Sequence, residues 1–169
     1  MPSIDFSEAV EYLDKVGDAG REIVADEIAR GMDEAGLFLE AQARLNVRRQ
    51  NAINFGTLWN SIAATGSGEG ASRTVEIGSP LEYAAPVEFG SRHSGSGPPL
   101  GPLRLWARRR LRLSGPKATA AAVYVRNKAR TRGFAPRPFM APAFDDNQPQ
   151  LQRIFGRASD RAIRRMQAL

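Results

Sequence analysis

Cysteine is absent from the 169 residues, so no disulfide framework, thiolate nucleophile or thiolate metal site is available. Histidine occurs once, as His93 in the glycine- and serine-rich stretch SRHSGSG. A catalytic base must be held rigidly beside its nucleophile, and a loop of that composition reads as an exposed turn. No apolar run approaches the roughly 20 residues that span a bilayer. The N-terminal stretch MPSIDFSEAVEYLDK is acidic and lacks the basic and apolar regions of a secretory signal, so a soluble chain made in the cytoplasm is expected.

Carboxylates are scarce in the second half. Residues 1–90 hold 7 Lys/Arg and 15 Asp/Glu, whereas residues 91–169 hold 17 and 3. Three readings fit: the acidic half packs on the basic half within the chain, the basic half faces nucleic acid, or an acidic face of one subunit docks on a basic face of the next. The apolar fraction of 42% and charged fraction of 25% are those of a folded globular chain. The length suits one domain with a real core. We therefore expect a single domain over 1–169: a helical part at 1–50, a strand-rich part at 51–91, a loop at 92–101, and a basic helical part at 102–169 with a proline strap at 133–144.

The periodicity predicts a long helix over 18–46, with Val24, Ile28, Met32, Ala35 and Leu39 as one apolar stripe. A shorter helix at 4–16 precedes it, broken near Gly17 and Gly20. Strand candidates at 58–65 and 73–78 flank the flexible GSGEGAS, and YAAPVEFGS reads as a further strand or turn. Residues 102–113 carry both a helical stripe and a near-alternating pattern; Pro102 suits a first helical turn, so helix is preferred. Basic helices follow at 117–131 and 148–168, the latter with Leu151, Ile154, Phe155, Ala158, Ala162 and Met166 on one face. The fold class is α+β, a small antiparallel sheet packed against a long N-terminal helix and C-terminal helices.

Residues 132–144, RGFAPRPFMAPAF, hold three prolines and three phenylalanines. Proline fixes φ and lacks a donor, so this is neither a helix interior nor a central strand. It reads as an extended strap whose Phe139 and Phe144 need a pocket. Catalytic chemistry finds no foothold. GSGEGAS is not followed by Gly-Lys-Ser/Thr, as a phosphate loop would be. Asp145 and Asp146 are adjacent and cannot face each other as a general-acid pair. Glu82 and Glu88 lack the further oxygen ligands a metal needs. No enzyme, cofactor or metal site is expected. The arginine-bearing helices suit phosphates, so a non-enzymatic, basic DNA-binding protein is the alternative reading.

The order of the short motifs is more specific than any one of them. Gly56, Leu58 and Ser61 come first, followed by Gly78 and Ser79. Tyr83, Ala84, Glu88, Phe89 and Gly90 are next, and Arg137, Pro138, Phe139, Pro142 and Ala143 precede the last helix. This series resembles the lambdoid-phage neck or tail-completion family, the gene-product-ten-like head–tail connection proteins. Mu-type virion-morphogenesis proteins have a similar layout. The resemblance implies a structural virion protein in the neck or tail region, assembled in the host cytoplasm as a six- or twelve-fold ring joining the DNA-filled head to the tail. It implies as partners further copies of itself and other neck, connector and tail-tube proteins, with transient non-specific contact to genomic DNA and none to membranes. The motif residues become a candidate clamp, with Phe139 buried against 83–89 and Arg137 reaching Glu88. Arg104, Arg108, Arg112, Arg126, Arg130, Arg153, Arg157 and Arg161 become candidates for the channel wall or subunit contacts.

Overall fold

The computed structural model describes residues 7–50, 55–90, 97–133 and 135–169, without the side chains of 7–16 and 55. Residues 92–96 of the expected loop, His93 among them, and Phe134 lie outside the described residues, and the last two positions of that loop, Leu100 and Gly101, belong to a helix. Helices dominate: α1 (Ser7–Arg49), α2 (Phe55–Ser61), α3 (Ala84–Phe89), α4 (Leu100–Arg110), α5 (Gly115–Arg132), α6 (Ala141–Asp145) and α7 (Gln148–Gln167). The strands β1 (Ala63–Ser67) and β2 (Thr74–Gly78) pair as a two-stranded antiparallel sheet, so the class is α+β.

The chain groups into two compact units. The first takes α1 as far as Ala41, Ala63–Ile77 and Phe144–Leu169; the second takes Gln42–Ile62 and Gly78–Ala143.

In the first unit α1 and α7 pack antiparallel. Ile23 and Val24 meet Ala162 and Met166 at one end, and Ala35 meets Leu151, Ile154 and Phe155 at the other. All six residues of the expected α7 stripe are buried. Between these clusters Gly31 lets the helices close up, because a methyl there would stand 3.2 Å from the Ala158 Cβ. The hairpin lies on the same helix. A methyl at Gly36 would overlap Val75, Glu40 accepts the Ala64 amide at 2.7 Å, and Arg73 Nη2 donates to Asp33 at 2.7 Å.

Several expected boundaries move. Gly17 does break α1, at φ +67°, but Gly20 stays helical and buried. The 58–65 strand is corrected: the chain is helical to Ser61 and extended only from Ala63. Leu58 and Ile62, four residues apart, are both fully buried, which is helix spacing rather than strand alternation. Within YAAPVEFGS, expected as a strand or turn, Ala84–Phe89 form a helix, with Pro86 inside its first turn, where no amide donor is required. Arg112 lies beyond the end of α4 at φ +53°, in the left-handed turn leading to α5, and so leaves the ridge that holds Arg104 and Arg108.

The acidic stripe of α1 is met by arginines of the same chain. Glu27 occupies a buried position between Ile23 and Gly31 and is 1% exposed. Its carboxylate accepts from Arg161 Nε at 2.7 Å and from Arg165 and Arg30 at 3.0 Å. Burial pushes the carboxyl up, but the bonds from Arg161 and Arg165 and the charges of Arg161 and Arg30 more than offset this, holding it below its ordinary 4.5. A group lowered on folding stabilises fully above its unfolded pKa, and that contribution is lost as pH falls through the folded one. Thermal melts from about pH 7 down to about pH 3 should therefore show wild type losing its advantage over Glu27→Gln below about pH 4.5. A constant gap would mean that the pairs do not stabilise the helix contact.

Candidate functional site

The strap and the 83–90 motif come together in the second unit. Glu88 lies on α3 and is 6% exposed. Its Oε2 accepts the amides of Phe139 at 2.6 Å and Met140 at 2.9 Å, and its Oε1 accepts the amide of Ala141 at 2.9 Å. One residue earlier, Val87 O accepts the Arg137 amide at 2.7 Å. The Arg137 side chain is exposed. Prolines at 136, 138 and 142 remove amide donors, and the amides that remain between 137 and 141 all meet α3. A carboxylate with two oxygens can accept three donors from adjacent residues, which a single carbonyl cannot.

The strap's carbonyls are held from the end of α1. Asn46 Nδ2 donates to Phe139 O at 3.1 Å, and Gln50 Nε2 donates to Pro138 O. These two residues were not among the sequence candidates. Their spacing of four places them on one helix face, but no local pattern says which carbonyls they serve.

Phe139 itself is 3% exposed. Phe144 corrects the expectation of a second pocket, being 48% exposed on α6. The strap is extended only as far as Pro138; from Ala141 it is helical, with Pro142 in the first turn. Phe89 is 78% exposed, with Gly90 beyond it in the left-handed region at φ +73°. Tyr83 is half-buried, and its carbonyl accepts the Val87 amide as α3 begins.

The other motif pieces also meet. Ser61 Oγ lies 2.8 Å from Ser79 Oγ and 2.8 Å from Leu58 O, and Ser79 Oγ accepts the Leu81 amide at 3.3 Å. Leu58 is fully buried. Beside it the Arg44 guanidinium stands 5.6 Å from the Trp59 ring centre and donates to Ile62 O at 2.7 Å. Gly56 and Gly78 face open space, so the structure supplies no steric reason for glycine there.

The basic residues separate into two groups. On α7, Arg157 pairs with Glu34 and Arg161 with Glu27, so both are engaged within the chain, while Arg153 is exposed. On α4 and α5, Arg104, Arg108 and Arg130 are exposed and Arg126 is half-buried. Among the described residues, no group of three or more His, Cys, Asp or Glu could hold a metal, and no helix is long and apolar enough to cross a membrane.

These polar side chains hold backbone, which is how a structural scaffold uses them. Residues 7–90, about half of the chain, match the family model described as "Bacteriophage HK97-gp10, putative tail-component". The likeness supports a structural component of a phage neck or tail, without separating the lambdoid from the Mu-type relatives. No curated protein and no solved structure matches the chain.

Proposed function

We propose that this chain is a structural virion protein of a tailed phage, prophage or gene transfer agent, forming a ring in the neck where the DNA-filled head joins the tail. The observation that carries the reading is the Glu88 clamp. The family match ends at residue 90, yet the last motif within it grips the strap at 137–141, which lies outside it. One folded unit thus holds the matched motifs and the remaining resemblance motif together. A clamped strap holds residues 137–141 of the second unit in one conformation, as a subunit must be held to present the same surface to each neighbour. Deleting the gene from the parent element should leave filled heads without attached tails, and the wild-type chain supplied in trans should restore tailed, infectious particles. Normal tailed particles from the deletion would refute the reading.

A further inference from the structure

The charge segregation of the sequence takes a different form in the folded chain. The stretches 42–62 and 78–143, which make up the second unit, hold 15 Lys/Arg and two Asp/Glu. One of those two carboxylates, Glu88, is buried and occupied by backbone amides. The other, Glu82, is exposed. The excess is greatest between 100 and 132, the α4–α5 hairpin, where ten Lys/Arg stand with no carboxylate at all. Leu103 and Ala107 of α4 and Ala118, Ala122 and Ala129 of α5 are buried, which turns the cationic faces outward. Arg104, Arg108 and Arg109 are exposed on α4. On α5, Lys117, Tyr124 and Lys128 are exposed at spacings of seven and four, one ridge of a helix, with Tyr124 67% exposed.

We infer that the outer face of the α4–α5 hairpin binds the phosphate backbone of duplex DNA without reading its sequence. Like charges at this density create a positive field that attracts a polyanion, which lowers their mutual repulsion as it binds. An 18-residue helix such as α5 is about 27 Å long, and duplex of that length carries about 16 phosphate charges at 1.7 Å each. Leaving out Arg110 and the half-buried Arg126, which interact within the chain, the hairpin's eight remaining cations are exposed and match that density to within about a factor of two. A tyrosine hydroxyl between lysines adds a phosphate hydrogen-bond donor and no base specificity. The acidic first unit of a second copy fits less well. Its Asp26, Glu27, Asp33 and Glu34 already pair with arginines of their own chain. Arg157 and Arg161 of α7, having those partners, are not part of the DNA face. The inference rests on charge and exposure and stands whether or not the chain occupies a phage neck.

The test is fluorescence anisotropy of the full chain with two labelled duplexes of unrelated sequence. With about five phosphates neutralised, affinity should fall several hundred-fold between about 50 and about 200 mM salt, equally for both duplexes. The triple variant R104E/R108E/R109E should bind at least tenfold more weakly at low salt, with a salt slope shallower by about three. R153E, on α7, should change affinity far less. R104Q/R108Q/R109Q repeats the loss without new negative charge, and melts of each variant check that the fold is kept. Unchanged binding by the folded triple variants would overturn the inference, as would a preference of about a thousandfold for one duplex, the lower end for sequence readers. Absence of DNA binding at low salt, with the triple variant changing the sedimenting mass, would overturn it in favour of a second copy.

Discussion

Replacing Phe139 by alanine should cost about 3–5 kcal/mol, a large part of the roughly 5–15 kcal/mol that holds a domain folded. The ring is almost wholly buried, and the backbone on both sides of it is fixed: its amide by Glu88, its carbonyl by Asn46. Neighbours so restrained cannot collapse into the vacated volume, which places the cost toward the upper end of the range. Arg108→Ala is the matched control. Arg108 is exposed on α4 among other arginines, and surface changes of that kind lie within about 0.5 kcal/mol. In complementation, Phe139→Ala should restore few tailed infectious particles and Arg108→Ala nearly all. Wild-type melting and full titre for Phe139→Ala would show that the strap is not a structural clamp.

Glu88→Gln tests the other side of the same contact. Hydrogen bonds to charged groups contribute about 1.5–3 kcal/mol each, and orphaning a buried donor costs about 1–3. Glutamine keeps one acceptor oxygen but turns an NH2 group toward a row of amide donors, so at least one of the three bonds is lost. A destabilisation of about 2–4 kcal/mol is expected. Amide hydrogen exchange localises it: Phe139, Met140 and Ala141 should exchange about a hundredfold faster, equivalent to about 3 kcal/mol. Glu82→Gln, at an exposed position, should leave those three amides unchanged. Equal protection in wild type and Glu88→Gln would mean that the carboxylate does not hold the strap.

What could be read from the sequence was local. The α7 stripe was legible because amphipathic periodicity needs no knowledge of the partner helix, and Gly17 because a glycine between two periodic segments is a natural break. Gly20 misled in the opposite direction: a helical glycine costs about 1 kcal/mol, which packing can offset. LWNSI has strand-like composition, yet its two buried residues are spaced for a helix, and AATGS becomes a strand despite weak β propensity. The hairpin is set on α1 by Gly36, Asp33 and Glu40, contacts that no strand rule contains. At the clamp, the motif likeness brought Glu88 and Phe139 onto one list. It did not indicate that the carboxylate would take backbone amides, or that Asn46 and Gln50 would hold carbonyls 93 and 88 residues away. Acidic α1 and basic α7 were legible as charge, and their mutual pairing favours the intramolecular reading for those two helices.

Electron cryomicroscopy of particles from the parent element, with the chain located through a density tag at its C-terminus, tests the central claim most directly. The account predicts a closed ring of tagged copies at the junction of head and tail, into which the second unit fits with its strap seated on α3. Particles that carry the chain as isolated copies, carry it away from the neck, or lack it altogether would contradict the account.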